Sequence, residues 1–385
     1  MNKMMPKAPV LKKAAMTAAV KERAVRQQVV LVLQGGGALG AYQAGVYQAL
    51  LEGGIEPDWV IGTSIGAING AIIAGNEPKN RVARLREFWD NVTNADPFGA
   101  MLPASIFGNA LTNLHTVMNG ISGFFQANPY AIWASKFPVG IERASYYTTD
   151  PLKETLGRLV DFDYINRNHT RFTVGAVNVR TSEMRYFDSR DMVLGPAHVM
   201  ASGALPPAFP AVFIDGEPYW DGGIYSNTPI EVVLDDNPRR DSLVFSLNLW
   251  QPSGPDPKTI GEVMGRQKDI QYASRGKSHV ARQEQLHRLR HVVRELAKRI
   301  PAEQRGDPMV KDLASYGCGT TMHLVRLLSP SLAGDDHTKD IDFTRDGIET
   351  RWRAGHDHAL HFLSKKPWES NVDILQGVVI HESSE

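Results

Sequence analysis

The sequence predicts an α/β fold on a mostly parallel sheet, followed by a helical C-terminal extension. Three observations carry that reading. Val29 to Gln34 and the stretch from Trp59 are short apolar runs, and each passes through a glycine-bearing loop into a helix-like segment of small and apolar residues. Runs of this kind, without polar alternation, mark strands buried on both faces of a parallel sheet. A third strand-like run, Ser242 to Leu249, stops at Gln251-Pro252-Ser253-Gly254-Pro255-Asp256-Pro257, after which the pattern turns mainly helical.

Taken in order, the chain begins with a basic tail. Residues 1–28 hold Lys3, Lys7, Lys12, Lys13, Lys21, Arg23 and Arg26 against Glu22 alone, although the 42 basic and 42 acidic residues of the whole chain balance. Such a segment reads as a solvated extension, with contact to an anionic membrane surface or a transit peptide as alternatives. The first strand then runs into Gly35-Gly36-Gly37-Ala38-Leu39-Gly40 and a helix-like stretch from Ala41 to Glu52. Gly35, Gly37 and Gly40 satisfy the G-x-G-x-x-G fingerprint of dinucleotide-binding enzymes, so an oxidoreductase must be weighed. That reading needs an acid at the far end of the second strand, whereas Asp58 stands before it. The alternative is that the amides of Gly36, Gly37 and Ala38 form an oxyanion hole.

The second strand enters Gly62-Thr63-Ser64-Ile65-Gly66. This G-x-S-x-G elbow presents a serine on a sharp turn at a helix N-terminus, where the dipole favours developing negative charge. Two loops leaving the carboxyl ends of neighbouring parallel strands stand where sites of this architecture lie. Further on, a strand-like Tyr219-Trp220 ends in Asp221-Gly222-Gly223, a turn that leaves the carboxylate uncovered.

Glycine loop, serine elbow and Asp-Gly-Gly turn, in that order, resemble the patatin-like phospholipase family. The segment Ala201-Ser202-Gly203-Ala204-Leu205-Pro206-Pro207-Ala208-Phe209-Pro210 resembles the family's block upstream of the aspartate, and the likeness runs from about Val29 to about Asn248. The resemblance implies a three-layer α/β/α fold and a Ser-Asp dyad, with Ser64 as nucleophile and Asp221 as base. It implies an oxyanion hole at Gly35, Gly36, Gly37 and Ala38, with Gly40, Gly62, Gly66, Gly222 and Gly223 as supporting positions. The implied reaction is hydrolysis of carboxylic esters of phospholipids or lysophospholipids, without a metal or organic cofactor. An ordinary aspartate is a weak base for a hydroxyl, so the site is expected to be apolar and to raise the pKa of Asp221 by desolvation. Leu39 stands where the family usually has a basic residue. That leaves neutral lipids, thioesters or hydroxyalkanoate oligomers as alternative substrates. A non-catalytic lipid-binding scaffold is a further class, with no residue in its favour.

Three other regions complete the reading. Residues 96–141 carry Phe98, Met101, Leu102, Ile106, Phe107, Phe124, Phe125 and Trp133 with few charges, as expected of a cap over the site that lines an acyl pocket, or of a satellite core. A long helix is expected from about Thr259 to Ile300, with an apolar seam of Leu286, Leu289, Val293, Leu296 and Ile300 and basic outer faces that could meet a membrane or a second copy. A strand at Met322 to Leu328 and a helix at Thr344 to Ser364 follow, the latter with His356, His358 and His361; the second and third of these share a helix face but lack a persuasive third metal ligand. The expected divisions are thus a tail at 1–28, a catalytic domain at 29–250 and an extension at 251–385, which resembles one seen on some bacterial members of the family.

Composition sets the remaining limits. A chain of 385 residues that is 42% hydrophobic can bury a large core. Its single cysteine, Cys318, excludes an intramolecular disulfide and suits a reducing compartment, hence a cytoplasmic location, peripheral to the membrane at most. No apolar run approaches a membrane span, and no secretory leader is evident. Nucleic acid is not an expected partner, since no aromatic platform accompanies the basic helix.

Overall fold

The computed structural model describes residues 27–93, 120–332, 335–370, 372–373 and 375–382. The strands found there are β1 (Gln28–Leu33), β2 (Trp59–Gly62), β3 (Gln126–Ala127), β4 (Tyr147–Thr148), β5 (Arg171–Asn178), β6 (Met184–Asp188), β7 (Val212–Ile214), β8 (Glu217–Asp221), β9 (Ser242–Asn248), β10 (Met322–Leu328) and β11 (Val378–Glu382). Nine of them form one sheet in the order β11-β10-β9-β1-β2-β5-β8-β7, with β6 paired to β5. The six strands from β11 to β5 are parallel, while β6, β7 and β8 are antiparallel to their neighbours. The mostly parallel α/β architecture is as the sequence predicts.

Alternation along β1 divides the core in two. Val29, Leu31 and Leu33 point into the larger apolar cluster, and Val30 and Val32 into the smaller one. Helices Ala41–Glu52, Ile65–Ala74, Pro78–Val92 and Arg345–Lys365 contribute to the first; helix Glu231–Leu234 and Val280 of helix Ile260–Arg299 contribute to the second. Helices therefore cover both faces, in three layers.

The strands β10 and β11 build the C-terminal extension into the sheet, where β10 pairs with β9 from Met322↔Ser242 to Leu328↔Asn248. Its last helix packs on Ala41–Glu52 so closely that a Cβ on Gly355 would lie 2.0 Å from the Tyr42 carbonyl oxygen. The 40-residue helix Ile260–Arg299 starts at Thr259, whose hydroxyl accepts the Glu262 amide at 3.2 Å. Its expected seam is a correction: Leu289 and Leu296 are 61% and 59% exposed, and among its described residues the buried positions are Val280, Gln283, His287 and His291. Leucine spacing identifies a stripe but not what that stripe meets. This helix passes over a helix end and a loop that offer carbonyl oxygens, and residues with polar tips win the contact: His287 Nε2 meets Leu234 O at 3.1 Å and His291 Nε2 meets Thr320 O at 2.9 Å.

The basic tail to Arg26, and Phe98, Met101, Leu102, Ile106 and Phe107, lie outside the described residues. No helix among the described residues is long and apolar enough to cross a membrane.

Candidate active site

The strand β5 brings the serine elbow and the aspartate together. On one edge it pairs with β2 up to Val174↔Gly62, and further along with β8 at Ala176↔Asp221. Because β6 occupies Thr173 to Val177 on the opposite edge, β2 and β8 share a single edge and run toward each other. Their ends are two β5 residues apart, about 7 Å along a strand. The elbow turns into that gap, so that Ser64 and Asp221 border the same cavity.

The elbow is strained. Ser64 sits at φ 56°, ψ −125°, immediately before helix Ile65–Ala74, a conformation an L-residue seldom adopts. The glycines beside it are required by contact: a Cβ on Gly66 would stand 2.3 Å from Leu33 O, and one on Gly62 2.3 Å from Gly66 O. The Ser64 amide donates to Ser202 Oγ at 3.0 Å, and the Ser202 hydroxyl donates to Gly175 O at 2.6 Å. Ser202 thus braces the elbow against β5, between the two strand ends.

Asp221 is 2% exposed. Burial pushes its carboxyl up to about 7, against the opposing pull of the nearby Ser64 hydroxyl and of a hydrogen bond from the Gly223 amide at 2.7 Å. That places a carboxylate near the range where a general base works at neutral pH.

The glycine loop abuts the elbow: a Cβ on Gly35 would approach Ser64 Cβ to 3.0 Å. Of the four positions expected to form the oxyanion hole, two have amides engaged elsewhere. Gly35 N–H donates to Asn227 O at 3.3 Å, and Ala38 N–H to Asp340 O at 2.9 Å. The amides of Gly36 and Gly37 have no such partner among the described residues. A net of polar side chains fixes the loop. Asn227 Nδ2 and Trp250 Nε1 donate to Gly35 O at 3.1 and 2.8 Å, Gln43 Nε2 donates to Gln34 O at 2.7 Å, and Asn69 Nδ2 donates to Gly40 O at 3.0 Å.

Ser64, Asp221, Gly36 and Gly37 border a cavity of about 200 Å³, whose walls include Ile65, Ile68, Leu205, Phe209, Ile341 and Phe343. Phe124 and Phe125 line it as well and stack edge-on with each other, while Phe125 also meets Tyr147 at 4.8 Å and Phe209 at 5.2 Å between ring centroids. The described part of the 96–141 region therefore supplies both cavity wall and core, whereas Trp133 is 62% exposed. No Lys, Arg or His is among the described lining residues. Leu39 is buried, 3% exposed, and is not part of the lining.

Other sequence candidates lie apart from this centre. Asp58 accepts the Val29 amide at 2.9 Å, at the opposite end of the strands from Ser64, where it cannot hold the ribose of a nucleotide on the glycine loop. His356 and His358 reach different partners, Glu52 at 2.8 Å and the Tyr42 hydroxyl at 2.7 Å, and the described residues contain no group of three potential metal ligands. Sequence reasoning missed Ser202, Asn227, Gln34, Trp250 and Asp340. Ser202, Asn227 and Gln34 stand within or beside the motif blocks; Trp250 and Asp340 carry no local signal.

Comparisons with known proteins agree in direction. The profile described as Patatin-like phospholipase matches residues 31–234, and a second, described as Patatin phospholipase, matches residues 270–374. The chain is 27% identical over 263 residues to lysophospholipase nte1 of Aspergillus terreus, covering 62% of this chain and 15% of that protein. It is 33% identical over 95 residues to patatin-like phospholipase domain-containing protein 7 of Rattus norvegicus, covering 22% of this chain and 7% of that one. It therefore spans only a small part of the length of these relatives. Among solved structures, human GIVD cytosolic phospholipase A2 aligns with TM-score 0.42 at 9% identity, over 93% of this chain and 62% of that one. VipD from Legionella pneumophila aligns with TM-score 0.38 at 14% identity, over 88% and 67%.

Proposed function

The chain belongs to the patatin-like phospholipase family, and from that premise we propose that it is a serine-dependent lipid acyl hydrolase working through Ser64 and Asp221. The observation that carries the proposal is the convergence of Ser64, on its strained elbow, and the buried Asp221, whose pKa burial pushes up to about 7, on one apolar-walled cavity. In the first half-reaction Asp221 takes the Ser64 proton as Oγ attacks the ester carbonyl. The tetrahedral oxyanion is received by the Gly36 and Gly37 amides, each such donor contributing on the order of 3 kcal/mol to the transition state. The proton passes from Asp221 to the leaving alcohol as the C–O bond breaks, leaving an acyl-serine. Water then gives a proton to Asp221 while adding to the acyl carbonyl, and collapse returns the proton to Ser64 and frees the carboxylic acid.

The phospholipid and lysophospholipid reading rests on the family and on the names of the fungal relatives. A second reading, short or neutral acyl esters, thioesters or hydroxyalkanoate oligomers, is favoured by the cavity itself. At about 200 Å³ it is smaller than the ~300–1,000 Å³ of typical small-molecule pockets, and no described cationic side chain lines it to meet a phosphate. The test has two stages. A fluorophosphonate probe should label the wild type and spare Ser64→Ala; equal labelling of both would refute the mechanism. Product analysis across phospholipids, acylglycerols and hydroxyalkanoate oligomers then decides between the substrate classes.

A further inference from the structure

The C-terminal extension reaches the oxyanion loop through a backbone hydrogen bond. Asp340 O accepts the Ala38 amide at 2.9 Å. A Cβ on the adjoining Gly37, whose φ is +55°, would lie 2.2 Å from that same oxygen. Asp340, Ile341 and Phe343 also line the cavity that holds Ser64. The contact fixes the backbone immediately beyond the two amides proposed to bind a developing oxyanion.

Asp340 is itself held from the long helix. Lys268 Nζ donates to both carboxylate oxygens of Asp340, at 2.7 and 2.9 Å, and to His337 O at 2.8 Å. The residue after Lys268 and the residue before Asp340 make the reverse pair: Lys339 Nζ donates to Asp269 Oδ1 at 2.8 Å. Two neighbours of opposite charge on the helix thus grip two neighbours of opposite charge on the loop. At the loop's ends, the buried Arg351 guanidinium donates to Asp335 and Asp342, each at 2.9 Å. Asp335, Lys339, Asp340 and Asp342 are thus each tied to a helix of the extension.

We propose that Lys268 is a positioning residue: by clamping Asp340 it holds the Asp340 carbonyl against Ala38 and so aims the Gly36 and Gly37 amides at the cavity. This rests on the reading of Ser64 as the nucleophile. It assigns the extension a function in the reaction itself, because the oxyanion hole of the catalytic segment is completed from outside it. Donor placement acts on the transition state more than on ground-state binding, and displacement by about 1 Å is enough to cost up to about a hundredfold in rate.

The full-length chain with Lys268→Met, Lys268→Arg or Asp340→Asn would be assayed on p-nitrophenyl butyrate, alongside phosphonylation of Ser64 by a fluorophosphonate. Lys268→Met should lower kcat by roughly ten- to a hundredfold with KM nearly unchanged, and slow phosphonylation in parallel. Lys268→Arg, which keeps a cation that can bridge Asp340 and the His337 carbonyl, should recover most of the loss. Asp340→Asn keeps the backbone carbonyl and the side-chain shape, so it repeats the measurement should Lys268→Met fail to fold; it is expected to lower kcat with the same unchanged KM. Folded Lys268→Met with wild-type kcat would overturn the proposal. So would a loss that Lys268→Arg fails to restore, or one that tracks only the folded fraction seen by circular dichroism. Failure of the wild-type Ser64 to be phosphonylated would instead remove the underlying reading, a separable outcome.

Discussion

Ser202 holds Ser64 to the strand beside it: its hydroxyl accepts the Ser64 amide at 3.0 Å and donates to Gly175 O at 2.6 Å. Ser202 is fully buried, so Ser202→Ala leaves a backbone donor and a backbone acceptor without a partner. A cost of about 1–3 kcal/mol in stability is expected from such groups. With the elbow's amide released, kcat on a short ester should fall by roughly tenfold or more. Urea denaturation and steady-state kinetics on the folded variant measure the two effects separately; unchanged kcat would show that the strained elbow holds without this brace.

Ser64→Ala and Asp221→Asn should each reduce ester hydrolysis by on the order of a thousandfold or more, with the far-ultraviolet circular dichroism spectrum retained. Asp221→Asn replaces a buried carboxylate by a neutral isostere, so its melting temperature at pH 8 should not fall below that of the wild type. Normal turnover by either variant defeats the proposed dyad.

The pH dependence follows from the burial of Asp221. With its pKa pushed up to about 7, the carboxyl is protonated at lower pH and cannot take the Ser64 proton. The expected kcat/KM therefore rises with pH through about 7 and levels above it, with a slope near one decade per pH unit on the acid limb. Stability responds in the opposite sense. The native state binds this proton more tightly than the unfolded chain, so the contribution of Asp221 to folding is fully present below about pH 4 and is lost as pH rises through about 7. A flat kcat/KM profile from pH 5 to 8 would show that another group is the base.

Phe125 closes one wall of the cavity and packs against Tyr147 and Phe209. Phe125→Ala should enlarge that wall and shift preference toward longer acyl chains, at a cost of about 3–5 kcal/mol typical of a truncated buried phenylalanine. Serine at both Phe124 and Phe125 should shift the profile further. A chain-length series of p-nitrophenyl esters tests this; an unchanged profile in the folded variants would reduce both rings to packing alone.

Much of the fold and of the candidate site is legible because the signals are local. The run Val29 to Leu33 can bury both faces only inside a sheet. A serine between Gly62 and Gly66 suits an elbow because a Cβ at either glycine would collide with backbone. Asp221 is harder, since Asp-Gly is also an ordinary turn; its place after the other two blocks, rather than its own neighbours, singles it out. The assignment of Ala38 to the oxyanion hole shows where local reading stops. Nothing near Ala38 announces that its amide goes to Asp340, some three hundred positions later.

What the order of residues decided alone was the set of elements and the chemistry they carry: strand, glycine loop, elbow, acidic turn, and a helical extension whose own strand was visible. These follow from side-chain volume, backbone freedom and periodicity over a few residues. Tertiary structure decided which groups meet. Shared pairing along one edge of β5 closed the distance between Ser64 and Asp221, burial raised the acid, and His287 and His291 displaced Leu289 and Leu296 from the buried face. Such outcomes depend on what the rest of the chain presents across space, and no window of neighbouring residues contains that information.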